Sequence, residues 1–268
     1  MTSAVGPVLL GVAHGSRDAA SQQVVVELLA QAGGRLGTRA VPAYIDNASP
    51  SIARAVADLV AEGVDDIAVL PLLLTAAGHS KTDLAASVQR ARLEHPGLRI
   101  RYGRPFGAHP AVVEVLEQRL VEAGASGLPV LLVAGGSLDP DGNATVAATA
   151  RLLWEGRAHP SVDYAFVSAT GPSVPEMLAR LNGPVAVSLL FLGPGYLPGR
   201  AMELAGGHLV TAPLGSAPQL VDLIVERYSE TRTGDIRMNC DACLYRTAFP
   251  GKEHLVGAPQ VPHDHPED

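Results

Sequence analysis

Two histidines stand in glycine turns that follow apolar runs: His14 in Ala13-His14-Gly15-Ser16, and His79 in Ala77-Gly78-His79. Imidazole has an ordinary pKa of about 6.5, so it can take up a proton near neutral pH, and in its neutral form it is a common metal ligand. A pair of them at one cleft could hold a metal and accept protons. A lone loop histidine is more often a solvated or capping residue than a ligand. Two of them at corresponding strand ends, each beside a glycine, reverse that expectation.

The chain carries its own comparison, because it repeats. Pro7-Val-Leu-Leu-Gly-Val-Ala-His14-Gly-Ser-Arg-Asp18 returns as Pro129-Val-Leu-Leu-Val-Ala-Gly135-Gly-Ser-Leu-Asp139, and Ala43-Tyr44…Pro50-Ser51 returns as Ala165-Phe166…Pro172-Ser173. Ala77-Gly78-His79 returns as Pro194-Gly195-Tyr196, and Pro105-Phe-Gly-Ala-His109-Pro110 as Pro213-Leu-Gly-Ser-Ala217-Pro218. The offset drifts from 122 at the first proline to 108 at Pro105, in the manner of a duplicated unit with small deletions. Gly135 and Tyr196 take the places of His14 and His79 while the turns around them survive, which separates the histidines from the scaffold. His95, His109, His159 and His208 have no such support. His109, directly before a proline that suits a helix start, is expected to be structural or at best partly functional.

Each copy alternates short apolar runs with longer amphipathic stretches. Strands are expected at Val8–Ala13, Ala40–Tyr44, Ile67–Leu74 and Leu98–Tyr102, with helices near Ala19–Gly33, Pro50–Glu62, Ser80–Glu94 and Pro110–Glu122. The second copy places strands at Val130–Ala134, Ala165–Val167, Val185–Leu192 and Leu209–Ala212. Continuously apolar strands joined by helices imply right-handed βαβ units and a mainly parallel sheet covered on both faces. The fold class is therefore α/β, with two tandem doubly wound domains of four strands each. Residues 1–124 form the first lobe, 129–228 the second, and 229–268 a polar tail. Pro50 and Pro110 are expected in the first turns of helices. In the common strand order 2-1-3-4 the switch point falls between strands one and three, where ligands bind. His14 and His79 would face each other there.

Composition narrows the partners. A net charge of −7 over 268 residues argues against nucleic acid, whose footprint would be basic. The longest apolar run, Ile67 to Gly78, is too short for a bilayer's roughly 20 residues and holds Pro71. The N-terminus lacks the basic start of a signal peptide, so a cytoplasmic protein is expected. A monomer is the expected state, with a homodimer as the alternative. Gly78-His-Ser-Lys-Thr82 lacks P-loop spacing, Ala13 stands where a histidine phosphatase needs arginine, and no GxSxG elbow occurs.

Ala13-His14-Gly15-Ser16-Arg17-Asp18, Pro50-Ser51-Ile52, the run from Val69 to His79, and Pro105…His109-Pro110 together resemble the sirohydrochlorin chelatases, the CbiX/SirB family of class II chelatases. The resemblance covers about residues 7 to 228 as a two-lobed long form. It implies ATP-independent insertion of Fe²⁺ or Co²⁺ into sirohydrochlorin, with His14 and His79 delivering the metal and removing two pyrrole protons. The substrate carries eight carboxylates, so cations should border the cleft. Arg17 and Lys81 adjoin the histidines, with Arg54 and Arg200 as weaker candidates; Arg54, on a helix, is expected to be an ordinary solvated charge. Ser16, kept as Ser137, is expected to cap a helix and could bind a carboxylate. Lobe two, with Leu138 for Arg17, would form the opposite wall, and Tyr196 would pack on the macrocycle.

Met238-Asn-Cys240-Asp-Ala-Cys243 resembles the MxCxxC of the long cobaltochelatases, and Gly257-Ala-Pro-Gln260 with His263 and His265 resembles their His-rich end. A Cys-x-x-Cys pair can ligate metal or form a redox pair. An iron–sulfur cluster at Cys240 and Cys243, a simple metal clip and an inert tail all remain open. The competing class is a non-enzymatic metal carrier, which would need neither an apolar cleft nor a cationic rim.

Overall fold

The computed structural model describes residues 6–156 and 158–233; Cys240, Cys243, His263 and His265 lie outside the described residues. The first half runs β1 (Val8–Ala13), α1 (Ala19–Leu36), β2 (Ala40–Tyr44), α2 (Ile52–Ala61), β3 (Asp66–Pro71), α3 (Gly78–Lys81), α4 (Asp83–Glu94), β4 (Arg99–Tyr102) and α5 (Pro110–Glu122). The second runs β5 (Val130–Ala134), α6 (Pro140–Gly156), β6 (Val162–Phe166), α7 (Val174–Arg180), β7 (Ala186–Leu189), α8 (Tyr196–Ala205), β8 (Leu209–Val210) and α9 (Pro218–Thr233). The sheets have orders β2-β1-β3-β4 and β6-β5-β7-β8, and every pairing is parallel. The expected 2-1-3-4 order is present in both.

Leu9, Leu10 and Val12 of β1 and Val130 to Val133 of β5 are fully buried, as central strands covered on both faces must be. Helix starts follow local chemistry. The Asp18 carboxylate accepts from the Ala20 N–H (2.9 Å) at the head of α1, and the Ser51 hydroxyl accepts from the Arg54 N–H (3.1 Å) at the head of α2. Pro50 thus lies ahead of the cap rather than in the first turn, because its carbonyl is taken by the Tyr44 N–H at 3.0 Å. Pro110 does open α5, with His109 as its cap: Nδ1 accepts from the Ala111 N–H at 3.2 Å. Beyond β3 the chain departs before Leu74, since the Leu73 carbonyl accepts from Phe106 (3.0 Å) instead of a neighbouring strand.

The core forms three apolar layers, of which one joins the two sheets. The outer face of the first sheet packs on α2 and α4 through Val56, Leu59, Leu84 and Val88, and that of the second on α7 and α8 through Val174, Met177 and Ala201. The inner layer is common to both halves and mixes Leu9, Leu28, Leu116, Leu132, Leu153 and Leu220 in one cluster. Each half's last helix crosses to the other: α5 packs against β7, and α9 against α1, β3 and β4. Matching arginines mark the exchange. Arg119 of α5 donates to the carbonyl of Leu214 (2.7 Å), and Arg227 of α9 donates to that of Phe106 (3.4 Å).

Helix α9 also outruns the sequence pattern, which fades at Ser229. Tyr228 is buried and its hydroxyl donates to the Pro7 carbonyl at 2.7 Å; Thr231 is buried, and Glu230 pairs with Arg104. Polar residue types conceal this turn, since the ion pair of Glu230 with Arg104 joins residues 126 apart in the chain. A chain ending after Thr233 should melt like the full chain. One ending after Tyr228 should lose about 2 kcal/mol, or roughly 4–8 °C by thermal melting; equal melting would show that the last turn does not secure the fold.

Candidate active site

At the carboxyl end of β1 the chain turns sharply at Gly15, whose φ is +99°. A Cβ there would lie 1.6 Å from the Asp46 carbonyl oxygen, so only glycine fits. The same loops are joined from the other side, where the Asp46 N–H donates to the His14 carbonyl at 2.9 Å. His14 is exposed, with Nδ1 3.4 Å from the Gly15 carbonyl. Asp46 is half-buried, and its carboxylate accepts from the backbone N–H (2.8 Å) and side-chain amide (2.8 Å) of Asn47.

Asp46 is the group that the sequence reasoning passed over. The signal was in the repeat: at the offset of Pro50 it aligns with Ser168, whose N–H donates to the Gly135 carbonyl (3.0 Å) in the same turn geometry. Three groups able to bind metal or protons, His14, Asp46 and His79, thus become Gly135, Ser168 and Tyr196 in the second half. Among the described residues no three His, Cys, Asp or Glu side chains converge on one point.

His79 lies in α3, which follows β3, the neighbour of β1. The helix has four residues and is held by what flanks the histidine. Ser80 is buried, and its carbonyl accepts from the Tyr102 hydroxyl at 2.6 Å. Burial pushes the Tyr102 hydroxyl's pKa far up, so it stays a donor.

Lys81 is not on a cationic rim. Its side chain is 5 % exposed, and its ammonium pairs with Asp139 (3.0 Å) and Asp141 at the head of α6 in the other half. Burial alone would lower its pKa, but the bonds to Asp141 and Asp139 outweigh that and raise it. Arg17 is exposed beside His14. Arg54 pairs with Asp58 (3.0 Å) and Arg200 with Glu203 (2.8 Å), each along its own helix face. Ser16 does not cap α1, since Asp18 does; the Ser16 hydroxyl accepts from the Asp18 N–H at 3.1 Å, as Ser137 does from Asp139 at 3.0 Å. His159 pairs with Glu117 at 2.7 Å, and His109 caps α5, with burial holding its imidazole below its ordinary pKa.

The halves meet at these loops in two matching places. A Cβ on Gly195, the residue before Tyr196, would lie 3.2 Å from the Ser16 hydroxyl, and one on Gly142 would lie 2.9 Å from Ala77 Cβ. The β1–α1 loop therefore faces the start of α8, and the β3–α3 loop faces the start of α6. Tyr196 is 84 % exposed and Leu138 is 69 % exposed, so apolar surface stands open on the second half's side.

The CbiX family model matches residues 8–123 and 129–231, one copy in each half. A sirohydrochlorin cobaltochelatase of Priestia megaterium is 31% identical over 231 residues, covering 79% of this chain and 75% of that protein. A sirohydrochlorin ferrochelatase of Bacillus subtilis is 31% identical over 177 residues, covering 65% of this chain and 68% of its own length. Among solved structures, SirB from Bacillus subtilis with Fe³⁺ superposes with a TM-score of 0.75 at 26% identity, spanning 88% of this chain and 100% of that one. SirB in complex with cobalt gives 0.74 at 25% identity, over 86% of this chain and 97% of that one. The strand order, the strand-end loops of the first half and these matches along both halves agree: the chain belongs to the CbiX family.

Proposed function

We propose that this protein inserts Fe²⁺ or Co²⁺ into sirohydrochlorin without ATP, and that the first half does the chemistry. The observation that carries this is the joint loss of three groups, His14, Asp46 and His79, from a second half that otherwise keeps their loops. A scaffold residue would have been kept with the scaffold.

In the reaction M²⁺ replaces two pyrrole N–H protons, so the site must release a metal and take two protons as it does so. His14 and His79 supply neutral imidazoles that can ligate Fe²⁺ or Co²⁺ and then accept protons. Asp46, whose backbone N–H donates to the His14 carbonyl, adds a carboxylate that helps offset the metal's charge before transfer. Residues 1–124 carry this site. Residues 129–228 supply the facing wall, with Tyr196 and Leu138 against the apolar macrocycle. Ser16 and Arg17 serve substrate carboxylates at the opening, a task from which the enclosed Lys81 is removed. The shared inner layer pairs the two lobes within one chain, which supports a monomer as the working unit.

Cys240 and Cys243 are the chain's only cysteines. A [4Fe–4S] cluster takes four thiolates, so this chain offers half a set and no step runs through a cluster. With His263 and His265 they are proposed as accessory metal ligands.

The test is insertion in vitro, followed by visible absorbance with each metal. His14→Ala and His79→Ala should each abolish insertion with the fold intact by circular dichroism, and Asp46→Asn should slow it on the order of 10–100-fold. Wild-type rates in either histidine variant would remove the assignment, and metal binding without any binding of sirohydrochlorin would make the protein a carrier.

Tyr196→Phe should raise KM for sirohydrochlorin more than it lowers kcat, since no proton passes through the phenol. A variant that binds normally but does not turn over would place a catalytic acid or base in the second half.

A further inference from the structure

Lys81 stands two residues from His79, is almost fully enclosed, and faces two carboxylates of the opposite half. We propose that Lys81 is a positioning residue, setting His79 across the lobe interface through its ion pairs with Asp139 and Asp141. This rests on the assignment of His79 above.

A four-residue helix cannot hold its own geometry, because the first turn of a helix costs more than its single hydrogen bond returns. It joins α4 through Thr82, whose N–H donates to the Gly78 carbonyl at 2.7 Å, and side-chain anchors fix it against the rest of the fold. Of the two residues that follow His79, Ser80 is tied to its own sheet by Tyr102 and Lys81 is tied to α6. The α6 anchor is itself fixed. The Asp139 carboxylate accepts from the Asp141 N–H at 3.1 Å, and its own N–H donates to Ser137 at 3.0 Å. The ammonium therefore docks on a capped, buried helix start rather than on a mobile surface acid.

The repeat supplies the second observation. Asp18 is the counterpart of Asp139, and it caps α1 in the same way. The counterpart of Lys81, two residues past Tyr196, is Pro198, which carries no charge. The exchange arginines Arg119 and Arg227 occur in both copies, as scaffold links should. The lysine occurs only where the histidine does. Its bridge therefore accompanies the chemistry rather than the fold.

Lys81→Met alone would strand two buried carboxylates and could unfold the chain. The decisive variant is Lys81→Met with Asp139→Asn and Asp141→Asn, in which the amide oxygen that replaces the Asp139 carboxylate can still cap α6 and no charge is left unpaired. In the full-length protein this triple variant should melt close to wild type. Its affinity for Co²⁺ alone, read from the visible absorption of the bound ion, and its kcat for insertion should both fall about 10–100-fold, the usual effect of losing a ligand's supporting contact. KM for sirohydrochlorin should stay unchanged. A folded triple variant with wild-type Co²⁺ affinity and kcat would make the bridge merely structural and overturn the proposal. A raised KM for sirohydrochlorin with normal Co²⁺ affinity would overturn it in favour of direct substrate binding. His79→Ala separates the two levels. If it loses Co²⁺ while the triple variant does not, only the positioning role fails; if it binds Co²⁺ normally, the His79 assignment falls and takes the proposal with it.

Discussion

Neither sheet can bury its inner face alone. Each half has outer helices for one face, but the other face is covered by helices drawn from both halves, packed as one apolar cluster. Leu9, Leu28, Leu116, Leu132 and Leu220 are all essentially removed from water, at roughly 1.5–3 kcal/mol each. Because α5 and α9 cross over, pulling the halves apart would expose this layer on both sides at once. The lobe interface is thus a core, more rigid than the small polar contact usual between domains of one chain.

That rigidity is what the strand-end loops need. A metal site works only if its ligands are held close to the productive geometry by elements that do not move. Here β1, β2 and β3 end side by side, and their loops interlock through backbone contacts such as Asp46 to His14. The second half then closes on those loops where Gly195 meets Ser16 and Gly142 meets Ala77. The spacing of these facing loops is inherited from the buried layer beneath them.

Much of this was legible in the residues. Parallel sheets show themselves as unbroken apolar runs, and the repeat placed the strand ends, the switch point and the loops that hold His14 and His79. The ends of elements were less visible. Asp163 and Tyr164 hid the start of β6, which pairs with β5, and Glu230 hid the last turn of α9, because its partner Arg104 comes from far along the chain. Lys81 misled for a similar reason. A lysine beside a candidate ligand looks like a surface cation until the fold brings Asp139, more than fifty residues away, against it. Asp46 was within reach, since setting it against Ser168 uses the same comparison that singled out the histidines.

The reciprocal crossing of α5 and α9 has a bearing on how such a chain could come to have unlike lobes. A single repeat with this architecture would complete its inner layer only against a second copy of itself, and every substitution would then appear twice, once in each facing wall. Joining the copies end to end lifts that restriction. One half can carry Gly135 and Tyr196 where the other carries His14 and His79, and a charged tether such as Lys81 to Asp139 can exist on one side alone. Covalent fusion here is a means of breaking symmetry: it lets two halves of one architecture carry unlike loops at matching strand ends.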